Sequence, residues 1–235
     1  MVRRVVAHRV SCFASTAEIV LVALTLHYYP SNASMTPHLL LRELGAPFTL
    51  QLVDRAHNAH KSPDYLKLNP NGLIPVLEDG DLVLYETAAI VLHLVDTHPD
   101  AGLAPPVGTP ERAQFYKWLV WLSSSLQAMM PHYFYSDRMV APGNAAGAAE
   151  VKAQAEARIA AMVDQIDQRL AVQPWMSGER FGALDPYAFM LCRWTRGMHR
   201  PARTLPNIGP WLGRMLERPA VQATLAAEGL QAPYC

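Results

Sequence analysis

The segment Asn69-Pro70-Asn71-Gly72-Leu73-Ile74-Pro75-Val76-Leu77 sets a proline at the entrance to an apolar run. Proline has no N–H to give to a strand ladder, so within a sheet it sits at a strand's first residue or on an edge. A cis bond before Pro75 would turn the preceding backbone outward and leave the N–H and C=O of Ile74 to a ligand. Such an edge pairs with extended, peptide-like molecules through main-chain hydrogen bonds. An ordinary trans proline at a strand entry is the other reading that this segment leaves open.

The flanking sequence supplies the rest of a small α/β unit. Downstream, Asp79-Gly80 separates Leu73–Leu77 from Leu82–Tyr85, and Asp-Gly between apolar runs predicts a hairpin. A helix over Thr87 to His98 follows, with Ile90, Val91, Leu94 and Val95 at helical spacing and Thr87 as its cap. Upstream, Leu24 to Tyr29 reads as a strand and Pro30-Ser31-Asn32 as a loop. The next helix has Pro37 in its first turn, Leu40, Leu41 and Leu44 as its apolar stripe, and Gly45 as a left-handed stop before Pro47. Phe48 to Val53 is a second strand, and Asp54 to Asn69 is polar, irregular or shortly helical. The order βαβ, connection, ββα over residues 24–98, with Pro75 where it is, predicts a thioredoxin-like α/β domain built on a mixed four-stranded sheet.

Residues 99–110, PDAGLAPPVGTP, have the proline and glycine content of an interdomain linker. Beyond them, Glu111 to Met130, Ala149 to Val172, Asp185 to Met198, Ile208 to Glu217 and Pro219 to Glu228 read as helices, which makes residues 111–235 an all-α domain. In one of these helices Ile159, Met162, Ile166 and Leu170 form the core stripe, and Lys152, Glu156, Arg158 and Asp167 occupy other faces.

Composition narrows the function classes. With 20 Lys+Arg against 20 Asp+Glu in 235 residues, the chain lacks the basic excess of a phosphate-tracking surface, so no nucleic-acid partner is expected. Cys12, Cys192 and Cys235 are scattered, with no CxxC pair, and predict a reducing compartment and no metal site. The apolar stretch Ile19 to Leu26 is far shorter than the roughly 20 residues of a membrane-spanning helix. Arg3, Arg4 and Arg9 invite comparison with a signal peptide, but Glu18 interrupts the apolar region; residues 1–22 are expected to be a disordered extension or the product of an upstream start.

Two motifs together carry a family resemblance. Asn69-Pro-Asn-Gly-Leu-Ile-Pro75-Val-Leu followed by Leu84-Tyr-Glu86-Thr87-Ala-Ala-Ile90 resembles the glutathione transferases, close to the bacterial beta class. Gly178-Glu-Arg-Phe-Gly-Ala-Leu-Asp185-Pro-Tyr and Arg214-Met-Leu-Glu-Arg-Pro219-Ala-Val extend the likeness over about residues 24–230. The resemblance implies a cytoplasmic homodimer that uses glutathione as cosubstrate, with no metal and no membrane partner. It adds glutathione's thiolate to a small apolar electrophile by substitution or addition.

Site residues follow from the same likeness. Ile74 and Pro75 form the peptide-like edge; Glu86 and Thr87 match the pair that holds the γ-glutamyl group; His60 and Lys61 resemble a pair near the glycyl carboxylate. A thiol with a pKa of about 8.5 is mostly protonated at neutral pH, so a transferase must stabilise the anion. Ser34 and Asn32 are the candidate donors, at a helix start whose dipole favours negative charge. Ser31, Tyr28 and Tyr29 stand in reserve. Ser34 read locally is an N-cap. Ala33 stands where beta-class members carry a cysteine, which disfavours chemistry needing a protein thiol, and Gln127 stands where they carry a histidine, so that histidine's role does not carry over. Asp185 matches a structural helix-start residue whose usual hydroxyl partner is Gly182 here. A glutathione-dependent isomerase or reductive-cleavage enzyme, or a non-catalytic binding module, would keep the same fold.

Overall fold

A computed structural model describes residues 24–235 of the chain. The expectations for residues 1–22, and Cys12 with them, lie outside the described residues. Strands β1 (Leu24–Tyr28), β2 (Phe48–Leu52), β3 (Val76–Asp79) and β4 (Leu82–Tyr85) form one sheet in the order β2-β1-β3-β4. β1 and β2 run parallel, while β1–β3 and β3–β4 are antiparallel, so the sheet is mixed as expected. Leu26, Val76 and Leu77 are fully buried because β1 and β3 are the central strands. The hairpin turns on Gly80 and Asp81, with Gly80 at φ 60° and Asp79 still paired to Leu82.

Helix α1 (Met35–Leu44) stops at Gly45, whose φ of 63° lets its N–H return to the Arg42 carbonyl. Short α2 (Pro63–Leu68) starts where Ser62 accepts from the Tyr65 N–H. α3 (Thr87–Thr97) packs against α1. Thr87 is the first helical residue rather than the cap: Glu86 holds the cap position at φ 74° and makes no side-chain capping bond.

The remaining chain is helical among the described residues: α4 (Pro110–Trp121), α5 (Ala128–Phe134), α6 (Ala145–Leu170), α7 (Leu184–Trp194), α8 (Ile208–Glu217) and α9 (Pro219–Ala227). Between α4 and α5, Leu122–Gln127 is a π-helical turn, which the apolar periodicity did not announce. α6 begins four residues before the expected Ala149, because Asn144 caps it by accepting from the Gly147 N–H. Its inward face is Ile159, Val163, Ile166 and Leu170, with Met162 only partly covered. Asp167, expected on an outer face, is buried: it accepts from the backbone N–H groups of Asn207 and Ile208 and from the Asn207 amide, and so caps α8 from another helix.

The principal hydrophobic core is shared between the sheet and the helices. Leu39, Leu40, Leu41, Ile90 and Leu94 belong to the same buried cluster as Leu119, Leu126, Ile159, Phe189 and Trp211. α1 touches α7 and α9 as well as α3, which brings residues from the end of the chain against the loop at its own N-terminus.

Candidate active site

The loop between β1 and α1 ends the central strand, and its backbone is fixed from the far end of the chain. Ser31 sits at φ 60°, a conformation that a non-glycine residue keeps only when its surroundings impose it. Its N–H donates to Glu228 Oε2 (2.8 Å), its carbonyl accepts from the Trp194 indole N–H (3.2 Å), and its hydroxyl accepts from Arg193 Nη1 (2.5 Å). The other carboxylate oxygen of Glu228 meets His38 Nδ1 at 3.0 Å, both side chains wholly buried. Arg42 Nε donates to His38 Nε2 at 3.0 Å and closes the chain of contacts.

Ser34 is fully buried and does not cap α1 with its side chain. Its hydroxyl donates to the Tyr29 carbonyl and accepts from the Tyr29 N–H, both at 3.2 Å, and so ties off the loop. An exposed hydroxyl donor at this residue is therefore not what the structure contains. The Ser34 backbone N–H has no partner among the described residues, and it opens toward the start of a ten-residue helix. Asn32 is partly exposed; its Oδ1 accepts from the Ala33 N–H at 2.7 Å and its Nδ2 has no partner among the described residues. Ser31 keeps its own hydroxyl proton, and a guanidinium on the oxygen makes that proton a better donor. Ala33 is buried. Tyr28 packs edge-on to His38, and Tyr29 packs on the small cluster of Val53, Tyr65, Ile74 and Val76.

The Ile74–Pro75 bond is cis, which the segment itself had left open. Both residues lie outside the ladder, which begins at Val76. The preceding loop is stapled by side chains: Asn69 Nδ2 and the Tyr65 hydroxyl each donate to the Leu73 carbonyl at 2.8 Å, and Asn69 Oδ1 accepts from the Asn71 N–H. Lys61 Nζ donates to the Asn71 carbonyl at 3.0 Å and lies against Gly72, where a Cβ would stand 2.6 Å from it. His60, on the same 3₁₀ turn, has a buried, unpartnered Nδ1. Burial, then the neighbouring Arg55 and Lys61, hold its pKa below the ordinary histidine value. Glu86 is exposed and Thr87 buried at the start of α3, so the backbone there turns sharply between a carboxylate in solvent and a hydroxyl in the interior.

The site residues read from the sequence thus fall at the loops that follow β1, precede β3 and precede α3, on one end of the sheet. Facing them, Phe134 stands perpendicular to Trp194 with centroids 6.4 Å apart, and Trp194 is the residue bonded to Ser31. Arg55 donates to the Tyr135 hydroxyl at 2.5 Å and ties the segment after β2 to the end of α5. Met130, on the same helix as Phe134, is buried core, and Met129 and His132 border a separate cavity of about 460 Å³ between α5 and α6. Among the described residues there is no cluster of three or more His, Cys, Asp or Glu able to hold a metal ion.

Sequence reasoning missed Arg193, Trp194, Glu228 and Asn69. Asn69 carried a local clue, since Asn before a proline turn bonds its own backbone two residues on. The others carried none: 197 positions separate Glu228 from Ser31.

A family model described as "Glutathione S-transferase, N-terminal domain" matches residues 30–97. Glutathione S-transferase GstA of Escherichia coli O157:H7 is 32% identical over 209 residues, covering 88% of this chain and 99% of the relative. Glutathione S-transferase GST-4.5 of Xanthomonas campestris pv. campestris is 30% identical, covering 87% and 98%. Among solved structures, a sphingomonad glutathione S-transferase complexed with glutathione superposes with a TM-score of 0.77 at 32% identity, over 88% of this chain and all of that one. A glutathione transferase homologue from Sulfitobacter, with bound glutathione, does so at 0.80 and 28%, over 89% and 100%.

Proposed function

The chain belongs to the glutathione S-transferase family, and from that premise we propose that it is a glutathione transferase whose thiolate site is the Ser31–Ser34 loop. The observation that carries the reading is the meeting of three things: a cis-proline edge, a helix start with unspent donors, and Thr87 opening a third element. Glutathione is a peptide, and it lies extended along Ile74 and Pro75. Its γ-glutamyl carboxylate meets the first turn of α3 at Thr87, with Glu86 beside the ammonium. Its glycyl carboxylate points to Lys61 and His60.

The sulfur then rests over the loop. The Asn32 Nδ2 amide and the Ser31 hydroxyl donate to it, and the positive end of α1 adds to both. Ser34 contributes through its backbone N–H and through the closure of the loop on Tyr29. A small apolar electrophile enters against Phe134 and Trp194, and the thiolate attacks by substitution or addition. The enzyme supplies orientation and a stabilised anion; no protein cysteine takes part, Ala33 being at the helix start. The reading includes a homodimer in the cytoplasm; sedimentation velocity giving a species of twice the chain mass would support the dimer, and a monomer at micromolar concentration would remove it.

The deciding experiment follows bound thiolate by ultraviolet difference absorbance across pH. Wild type should give a thiolate signal with an apparent pKa at least about one unit below 8.5. Asn32→Ala should move it back toward the free value. No signal and no binding at millimolar glutathione would reject the transferase reading.

A further inference from the structure

A charge taken out of water is costly until a counter-charge meets it, so buried ions in proteins are paired. Arg193, near the end of α7, departs from that pattern. Only 4% of it is exposed, yet among the described residues no carboxylate stands within 4.0 Å of its guanidinium. Its side chain makes one hydrogen bond there, from Nη1 to the neutral Ser31 hydroxyl at 2.5 Å, and its Nε is buried without a partner. The Glu228 oxygens are engaged elsewhere, on the Ser31 N–H and on His38 Nδ1, with Arg42 behind that histidine. Arg196 donates to the Arg193 carbonyl at 3.1 Å and adds a second positive charge. Burial, then Arg196, hold the Arg193 pKa below the ordinary guanidinium value, against smaller opposite effects of Cys235 and Glu228.

This cation stands directly behind the loop that ends β1. Trp194, the next residue, donates its indole N–H to the Ser31 carbonyl at 3.2 Å, so α7 holds Ser31 at two atoms. Ser31 is itself partly exposed, and among the described residues its hydroxyl proton has no acceptor. A hydroxyl with a guanidinium on its oxygen is a charge-assisted donor. An anion accepting its proton would lie two hydrogen-bond lengths from the guanidinium, and at a part-buried site that attraction is screened far less than in water.

We propose that the thiolate of glutathione is the counter-charge of Arg193: the buried guanidinium polarises the Ser31 hydroxyl, that hydroxyl donates to the sulfur, and the charge of the site is balanced once the anion forms. The proposal rests on the glutathione reading above and adds to it a residue from the helical half of the chain. Arg193 touches no reacting atom; it is a positioning residue that acts through Ser31. The thiol proton passes to solvent, and the Ser31 proton stays on its oxygen.

The test is Arg193→Met, which keeps an unbranched buried chain and removes the charge. The pKa of bound glutathione, followed by ultraviolet difference absorbance, should rise by about one, a roughly tenfold loss of thiolate at a fixed pH below it. Affinity for S-methylglutathione, whose sulfur carries no charge, should change less than about twofold. Arg193→Lys should recover part of the thiolate. In a cycle with Ser31→Gly, which suits the backbone at φ 60° and deletes only the hydroxyl, the two effects on that pKa should be non-additive. A folded Arg193→Met with the thiol pKa unmoved, an equal loss of affinity for glutathione and S-methylglutathione, or additive effects in the cycle would overturn the proposal and leave the transferase reading standing. If wild type itself binds no glutathione, both fall. Should Arg193→Met fail to fold, Arg193→Gln takes its place with the same readouts, since it keeps an amide donor and drops the charge.

Discussion

At the scale of single residues the proposed function divides the labour between Thr87 and Asn32. Thr87→Ala should weaken glutathione binding about tenfold while leaving the bound thiol's pKa in place, measured by calorimetry and by difference absorbance on the same protein. Asn32→Ala should do the reverse; equal loss of affinity in both would refute the division. His60 supplies a pH dependence. Its pKa lies below 6.5 in the free protein, chiefly through burial, so it is neutral at pH 7. A carboxylate ligand favours the protonated ring and raises that pKa, so binding takes up a proton. S-methylglutathione, whose sulfur cannot ionise, should therefore bind a few-fold more tightly as pH falls from 7 to 5, and His60→Gln should flatten the profile. Without ligand the sign is opposite for stability: below about 6.5 the unfolded chain takes the proton more readily, and the fold loses ground.

At the scale of elements, the start of α7 shows how a missing motif residue is replaced. Asp185 is fully buried and accepts from the N–H groups of Met176, Ser177 and Gly182 and from the Trp211 indole, at 2.8 to 3.2 Å. A hydroxyl at position 182 has no room, because a Cβ there would stand 2.7 Å from both the Leu103 carbonyl and Ser177 Oγ. Ser177 supplies the hydroxyl instead, accepting from the Leu184 N–H at 3.3 Å. Asp185→Ala leaves four buried donors without an acceptor and should cost at least about 3 kcal/mol in urea unfolding, against about 1 kcal/mol for Ser177→Ala. Similar small losses for both would show that the N–H groups find other acceptors. The expectation that Asp185 serves the fold agrees with this geometry, and the reason lies in loop 176–182 rather than in a cap within α7.

For the whole molecule, the loop between β1 and α1 is held by residues from the last quarter of the chain. Glu228→Ala leaves the Ser31 N–H and His38 Nδ1 unpartnered and should lower kcat/KM by more than about tenfold. Glu228→Gln keeps an acceptor for Ser31 and should retain much more of it. Equal activity in the two variants would detach the loop from its anchor. The shared core makes the same point energetically, because α1 buries side chains against α3, α7 and α9 together.

The sequence by itself determined the element order, the ββ turn, the α1 stop at Gly45 and the segments that meet at one end of the sheet. Each of these is written in local chemistry: apolar period, turn residues, and proline at a strand entrance. The family likeness was equally legible in the motifs around Pro75 and Thr87. Tertiary structure alone decided how Ser31 is held, because its anchors Arg193, Trp194 and Glu228 come from the far end of the chain. It also decided that Asp167 points inward to cap α8. Side-chain partners separated by tens to hundreds of positions leave no periodic trace in the chain, and only the packed fold chooses them.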